Sequence, residues 1–154
     1  MRTPPLPVPS LLSPWVSEVL SRSTTTVVLV ARHRDGRLAH VRIHRCAAGQ
    51  LRGTYPVGKH DIEVGITDAD GGTAALYPDL LESVTAAVEI ADPRCRRIIV
   101  SLPVTAADEI AAAEQAGLRP VVEVDLPGAE LLLMVAEPTW IRDIDGTADH
   151  VPGT

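Results

Sequence analysis

The sequence predicts one α/β domain of the α+β type, and three observations carry this prediction. Alternating apolar and polar residues mark strands in the first half of the chain, and the turn dipeptide Asp35-Gly36 joins two of them. The segment from Pro78 to Ala91 has the apolar spacing of an amphipathic helix. Two more strand-like segments, over 121–126 and 130–137, complete the predicted domain. With 154 residues, 45% of them apolar, the chain can bury a core without disulfides or metal.

The first half of the chain is predicted to hold one short helix and three strands. Ser13 can cap a helix that carries Pro14 in its first turn and runs to about Arg22. The strands cover residues 24–33, 38–46 and 60–66, with loops at 47–58 and 67–73. Strict alternation on the second strand separates an apolar face from a polar face, which is formed by His40, Arg42 and His44.

The second half of the chain alternates helices and strands. The helix over 78–91 ends at Asp92-Pro93, and a buried strand covers 97–102. Thr105 is predicted to cap the next helix, and Gly117 has the position of its C-terminal glycine. Strands over 121–126 and 130–137 form a final hairpin. We therefore expect a single domain over 1–137, with a proline-rich start and short helix over 1–23, and an acidic tail over 138–154.

Charge is distributed unevenly along the chain, whose net charge is −6. Residues 32–60 carry +6, and residues 61–92 carry −8 with no basic residue. The two blocks can neutralise each other in the fold, or the basic block can attract an anionic ligand. Nucleic acid is not expected as a partner, because the basic block holds a single aromatic residue, Tyr55, for base stacking.

The sequence argues against a membrane-spanning segment, a disulfide framework and a metal site. Apolar runs such as Val27 to Ala31 and Leu131 to Ala136 are far shorter than the roughly 20 residues that span a bilayer, and no signal peptide is visible. We therefore expect a cytoplasmic protein and no membrane partner. Cys46 and Cys95 are expected to be free thiols. No metal site is expected, since His40 and His44 would lie about 13 Å apart on a strand.

The element order and several phrases resemble one known family. These phrases are VVLVARHRDGRLAHVRI, HDIEVGI, RRIIVSLP and AAAEQAGLRPVVEVDLPGAELLLMV. Across about residues 24–137 the chain resembles the GNAT family, the Gcn5-related N-acetyltransferases. The resemblance implies a mixed, mostly antiparallel sheet with helices on both faces. The family's first strand and first helix have no counterpart in the predicted order, so we expect an abbreviated N-terminus.

The resemblance also implies where acyl-CoA would bind, and the chain departs from the family there. The family holds the pyrophosphate in an Arg/Gln-x-x-Gly-x-Gly/Ala loop after its fourth strand. The matching stretch, TDADGGTAALYPD, keeps Gly71 and Gly72 but has no basic residue and carries Asp68, Asp70 and Asp79. Carboxylates about 6 Å from a pyrophosphate cost about 1 kcal/mol or more per charge pair.

The family's proton donor is missing as well. Ala113 has the position of the family's tyrosine general acid, and Ala106 that of an asparagine seven residues earlier. We therefore expect no cofactor. Gly71 and Gly72 would be cofactor-binding residues only if acyl-CoA is bound after all.

The candidate site lies on the middle strands. A family carboxylate on the fourth strand often acts as general base toward the acceptor amine, and Asp61 and Glu63 have comparable positions. Two partly buried carboxylates about 6–7 Å apart can split their pKa values and give one a raised value. The predicted catalytic residues are Asp61 and Glu63, and the predicted substrate-binding residues are His40, Arg42, His44, Lys59 and His60. An ordinary polar sheet face with cross-strand ion pairs is the competing interpretation.

Three functions follow from these residues. The first is a small enzyme or enzyme subunit of GNAT-like fold that acts on a polar, amine-bearing small molecule with an anionic group, without acetyl-CoA. Arginine outnumbers lysine 13 to 1 and asparagine is absent, which indicates a GC-rich bacterial genome such as an actinobacterial one, and we expect a role in secondary metabolism. The second is an N-acyltransferase that uses acetyl-CoA, and the third is a non-catalytic partner or scaffold subunit. A partner subunit or homo-oligomer is expected because the abbreviated sheet needs a cover.

Overall fold

Seven strands form one sheet in the computed structural model, which describes residues 3–53, 56–68 and 76–137. The strand order is β1-β2-β3-β4-β5-β7-β6, and all neighbours are antiparallel except β4 and β5. In chain order the elements are β1 (Trp15–Arg22), β2 (Thr26–His33), β3 (Leu38–Arg45), β4 (Ile62–Asp68), α1 (Pro78–Ala91), β5 (Ile98–Pro103), α2 (Ala107–Gln115), β6 (Arg119–Leu126) and β7 (Ala129–Ala136). The predicted mixed, mostly antiparallel sheet is confirmed.

One face of the sheet, which we call the inner face, carries the main core. Alternation along β2 to β5 places every second apolar side chain there, and α1 packs on them through its buried leucine and valine side chains. A larger set of sheet residues shares this face: Val27, Leu29, Ala31, Ala39, Val41, Ile43, Ile62, Val64, Ile98, Val100, Leu102 and Met134.

Both described helices lie on this inner face. Ala113 and Ile110 of α2 join the same cluster as α1, so helices on both faces, as expected from the sequence, are not found among the described residues. The physical reason is the connection between β1 and β2, which is only the three residues 23–25. A turn this short leaves no room for a helix that would cover the outer face.

The segment predicted as an N-terminal helix is a strand, so that prediction was wrong. Trp15–Arg22 pairs antiparallel with β2, with a bulge between Val19 and Ser21. The spacing of the apolar residues also fits a helix, but a helix would have to bury them. Instead Val16 is 65% exposed and Leu20 is 53% exposed, and only Trp15 is buried. The first strand of the sheet is therefore present, and only the helix after it has no counterpart.

The other elements agree with the sequence within a few residues. The helix over 78–91 has the predicted bounds, and Gly36 has a φ of 98°, as a tight hairpin turn requires. Helix α2 differs at its start, because Ala106 is its N-cap and no side chain, including that of Thr105, caps it. The tail over 138–154 lies outside the described residues, and the assignment of 1–137 to one domain stays a prediction.

A buried ion pair fastens the N-terminal segment to the sheet and to α1. Arg45, 1% exposed at the end of β3, donates to Asp92 at the end of α1 over 2.6 Å. The same guanidinium donates to the backbone oxygens of Pro4, Pro5 and His60. These acceptors lie in three separate parts of the chain, so together with β3 the arginine connects four segments at one point.

Within the described ranges, no helix is long and apolar enough to cross a bilayer.

Candidate functional site

The candidate site lies where β4 and β5 separate. These two parallel strands pair over only two positions, Ile62 with Ile98 and Glu63 with Ile99, although both strands continue. Beyond Glu63 the two strands no longer pair, and we call this gap in the pairing the β4–β5 cleft. The side chain of Glu63 points to the outer face, the face opposite the main core, together with Ser101 of β5.

Glu63 is a buried carboxylate with three side-chain donors. It is 5% exposed, and its Oε1 lies 3.1 Å from Nε2 of His44, its cross-strand neighbour on β3. Its Oε2 accepts from Nε2 of Gln50 over 2.8 Å and from the hydroxyl of Ser101 over 3.0 Å. Burying a carboxylate costs free energy unless such partners bind it. In this cluster of four residues, His44, Gln50 and Ser101 therefore stabilise the ionised form of Glu63. We call it the Glu63 cluster.

These partners reverse the pKa shift expected from the sequence. Burial acts to raise the pKa of Glu63, but the hydrogen bonds from His44, Gln50 and Ser101 outweigh it, so the pKa of Glu63 lies below its ordinary value. Burial and a neighbouring carboxylate would raise the pKa, but these donors, which come from distant parts of the chain, act in the opposite direction. Glu63 is therefore ionised at neutral pH and suited to receive a cationic or N–H-bearing group.

The lowered pKa of Glu63 predicts a pH dependence of stability. A carboxyl whose pKa is lower in the folded state contributes stability above its unfolded pKa, and this contribution is lost as the pH falls through the folded pKa. Asp79 contributes in the same direction, because its pKa is lowered as well. Urea unfolding of the wild type and of Glu63→Gln measures this between pH 7 and pH 3. The free energy of unfolding should fall less steeply with decreasing pH in the variant. Equal slopes would contradict a lowered pKa.

Gly49 allows the imidazole of His44 to reach Glu63. A Cβ on Gly49 would lie 2.6 Å from Nε2 and 2.7 Å from Cδ2 of His44, which is closer than real contacts allow. Nδ1 of the same ring is buried and has no hydrogen-bond partner among the described residues. Because an ionised carboxylate only accepts, Nε2 of the ring donates its N–H to Glu63.

Gly49→Ala should displace His44 from Glu63. We expect a loss of about 1–3 kcal/mol in the free energy of unfolding and a rise in the pKa of Glu63, because overpacking forces the ring away. Gly53→Ala in the same loop is the matched control, since nothing lies within 4 Å of its Cβ position. Urea unfolding measures the stability, and NMR titration of the Glu63 carboxyl carbon measures the pKa. If both variants have the same stability and the same Glu63 pKa, the ring of His44 can move aside without cost.

Asp61 is engaged in a different set of contacts. Its carboxylate, 2% exposed as a residue, accepts from Nε and Nη2 of Arg97 over 3.0 and 2.7 Å and from the backbone N–H of Gly58 over 2.8 Å. It shares the outer face with Glu63 by alternation, but Arg97 neutralises it. The contacts of Asp61 therefore fit the competing interpretation, which is a polar sheet face with ion pairs between strands.

The predicted substrate-binding residues divide into two groups. His40, Arg42 and His44 share the outer face with Glu63, as the alternation predicted, and only His44 contacts it. Lys59 is exposed and no contact joins it to the Glu63 cluster. His60 lies beside Arg45 and Asp92 instead, where burial and the charge of Arg45 lower the pKa of its imidazole.

Sequence reasoning missed Gln50, Ser101 and Gly49 as parts of this site. Ser101 carried a signal, because it is the one hydroxyl in an otherwise apolar strand segment, Ile98–Leu102. Gln50 carried none, since a glutamine in a glycine-rich loop has no pattern. Gly71 and Gly72, named for the case that acyl-CoA binds, lie outside the described residues.

The N-terminus of α1 is occupied by the chain's own carboxylate. Asp79 in the first turn forms two hydrogen bonds with Arg37, of 2.9 and 2.7 Å. Arg37 and the backbone N–H groups of Leu80 and of Asp79 itself hold the pKa of Asp79 below its usual value. Arg37 is in turn stacked between Trp15 and Tyr77, at 5.0 and 4.8 Å from the ring centroids. The free N–H groups that could bind another anion are thus used internally.

Other chemistry is not assembled in the described part of the chain. Ala113 is completely buried in the core, so its position offers no proton donor to the cleft. The two cysteines are buried, and burial raises the pKa of the Cys95 thiol to about 12. No group of three or more potential metal ligands occurs among the described residues.

Solved structures share this fold at low sequence identity. An uncharacterised protein from Bacillus halodurans superposes with a TM-score of 0.62 at 21% identity, over 75% of this chain and 61% of that one. The aminoglycoside acetyltransferase AAC(6')-Ib in complex with coenzyme A and kanamycin gives 0.60 at 14% identity, over 73% and 67%. Mycobacterium smegmatis RimJ in complex with CoA-disulfide gives 0.52 at 16%, over 74% and 54%. No family model and no curated protein matches the sequence.

The chain therefore has a GNAT-like fold, as its resemblance to that family implied. It covers less than two thirds of the first of these structures. The likeness is one of fold.

Proposed function

We propose that this chain is a GNAT-fold enzyme, or an enzyme subunit, that acts on the amine of a polar small molecule carrying an anionic group. The observation that carries the proposal is the buried, ionised Glu63 at the opening of the β4–β5 cleft, with His44 on one carboxylate oxygen. Such a carboxylate binds an amine N–H, and a carboxylate–imidazole pair can hold the proton that the amine releases. Arg42, exposed on the same face, would hold the anion.

The proposal gives Asp61 a supporting role. Its two hydrogen bonds from Arg97 leave Glu63 as the carboxylate that meets the amine, while Asp61 fixes the chain just before β4. Asp61 would then act on the reaction through the position of Glu63. His40 lies two rows beyond Glu63 on the outer face, opposite Thr67, where it can contact the distal part of the substrate.

We further propose that the reaction does not use acyl-CoA. The N-terminus of α1 supports this proposal. The carboxylate of Asp79 accepts hydrogen bonds from the backbone N–H groups at that terminus, and Arg37 is already paired with Asp79 and Asp35. A pyrophosphate would have to displace this carboxylate, and residues 67–79 supply no basic side chain to replace Arg37.

Calorimetric titration with acetyl-CoA tests this part of the proposal. We expect no heat and no thermal shift at about 1 mM coenzyme, because ligands that bind the native state raise its melting temperature only above their Kd. A Kd well below 1 mM would overturn it. Asp79→Asn, which removes the competing charge, is the sensitised variant, and its binding of acetyl-CoA with none by the wild type would support the self-occupied helix terminus.

The second candidate function is an N-acyltransferase that uses acetyl-CoA. It is favoured by the neighbours in fold whose structures contain coenzyme A, such as AAC(6')-Ib and RimJ. It requires a coenzyme site that uses backbone N–H groups without a basic side chain. The same titration decides between the two candidates.

A partner subunit or a homo-oligomer is also part of the proposal. It is supported by the edge strand β1, where Val16, Val19 and Leu20 are 43–65% exposed. Sedimentation velocity of the protein alone and with co-expressed neighbouring gene products measures this, and an active monomer would end the subunit proposal.

A further inference from the structure

We propose that Gln50 occupies the place of the substrate's amine on Glu63, and that the substrate's anionic group binds Arg42, whose position on β3 is about 7–8 Å from that of Glu63. This inference rests on the proposed function and adds to it the amine subsite and the spacing of charges on the substrate.

Gln50 is the exposed member of this cluster. Its amide reaches from the loop surface to a carboxylate that is itself 5% exposed, and donates to Oε2 over 2.8 Å. An ionised carboxylate only accepts, so the amide nitrogen is the donor, as an amine N–H would be. Gln50 therefore covers the oxygen of Glu63 that a substrate arriving from the outer face would approach.

The side chain of Gln50 can leave without unfolding the loop. The next residue, Leu51, is completely buried in a second apolar cluster with Ile99 and Leu133, so the backbone stays anchored. Rotation of one exposed side chain is then sufficient to open Oε2. Ser101 remains on this oxygen, and its hydroxyl keeps lone pairs that can accept a second N–H of the amine.

Arg42 defines the other end of the substrate. Glu63 is directly opposite His44, and Arg42 lies two residues along β3, which makes it a diagonal neighbour at about 7–8 Å. Arg42 is exposed, and no ion pair holds it within the described part of the chain. An exposed guanidinium on a diagonal neighbour of the carboxylate can reach the anionic end of a zwitterion that has about four or five methylene groups.

Small zwitterions of graded length test the spacing. The probe is 5-aminovalerate, and the controls are glycine, which is too short, pentylamine, which lacks the anion, and valerate, which lacks the amine. The readout is the NMR shift of the Glu63 carboxyl carbon during titration of each probe into the full chain. We expect 5-aminovalerate to bind at least about fivefold more tightly than pentylamine, and Arg42→Met to remove this difference.

Variants at Gln50 test the amine subsite. Gln50→Ala should raise the affinity for 5-aminovalerate about tenfold, because the competing hydrogen bond to a charged group is gone. Gln50→Lys should abolish binding, since its own ammonium then occupies Glu63. Gln115→Ala, at an exposed glutamine of α2, should leave the affinity unchanged.

The outcomes separate this inference from the proposed function. Equal affinities in wild type, Gln50→Ala and Gln50→Lys would overturn the subsite, and so would the absence of any shift of the Glu63 carbon with every amine in every variant. If product formation from a polar amine still depends on Glu63 in that case, the proposed function stands and only the subsite is wrong.

Discussion

Arg45→Met is expected to lower the free energy of unfolding by about 3–5 kcal/mol, the range for breaking a buried ion pair by removal of one partner. The substitution leaves Asp92, 8% exposed, without its cation, and it takes the donor from the backbone oxygens of Pro4, Pro5 and His60. The N-terminal segment should then detach before the sheet unfolds. Urea unfolding measures the loss, and hydrogen exchange locates it.

The matched variants distinguish a lost ion pair from a lost side chain. Arg45→Met combined with Asp92→Asn should recover part of the stability, because no uncompensated charge remains. Arg32→Met, at an exposed arginine of β2, should stay within about 0.5 kcal/mol of the wild type. A loss of less than about 1 kcal/mol for Arg45→Met would show that the pair is solvated in solution.

Glu63→Gln is expected to reduce product formation by about 10²- to 10⁴-fold, the range for loss of a general acid–base group. The amide keeps the shape of the side chain, but it cannot form the carboxylate–imidazole pair that holds the amine's proton, and it cannot accept from all three of the present donors. Conversion of a library of polar amines, followed by mass spectrometry with and without acetyl-CoA, measures the effect. Circular dichroism confirms that the variant is folded.

Two further carboxylates serve as controls for Glu63→Gln. Asp61→Asn should lower stability and reduce product formation far less than Glu63→Gln does, because its partner Arg97 acts on structure. Asp125→Asn, at an exposed carboxylate of β6, should change neither. If Glu63→Gln retains full biological activity, the protein is a binding or scaffold subunit, and the catalytic proposal is withdrawn.

The fold was largely predictable because its signals are local. The alternation on β3 and β4, the Asp35-Gly36 turn and the apolar spacing of α1 each reflect which side of one element meets the core. The error at Trp15–Arg22 arose where local signals conflict: the apolar spacing fits a helix, and only pairing with β2 makes the segment a strand. The same is true of Thr105, whose hydroxyl could cap a helix but does not.

The candidate site was predictable only in part. Glu63 and His44 were named because a strand's alternation places them on one face, and they do make contact. The direction of the pKa shift, the ion pair that engages Asp61 and the self-occupied N-terminus of α1 depend on Arg97, Arg37 and Gln50. These residues are 36, 42 and 13 positions away from the carboxylates they contact, and no spacing rule reaches that far.

The amino-acid sequence by itself therefore determined the type and order of most elements and the face on which Glu63 lies, since these follow from periodicity and turn chemistry within a few residues. Only the tertiary structure decided which carboxylates are neutralised and which one is left to meet a ligand. The reason is that hydrogen bonds and charge pairs act through space over a few ångströms, between residues that the chain brings together from distant positions.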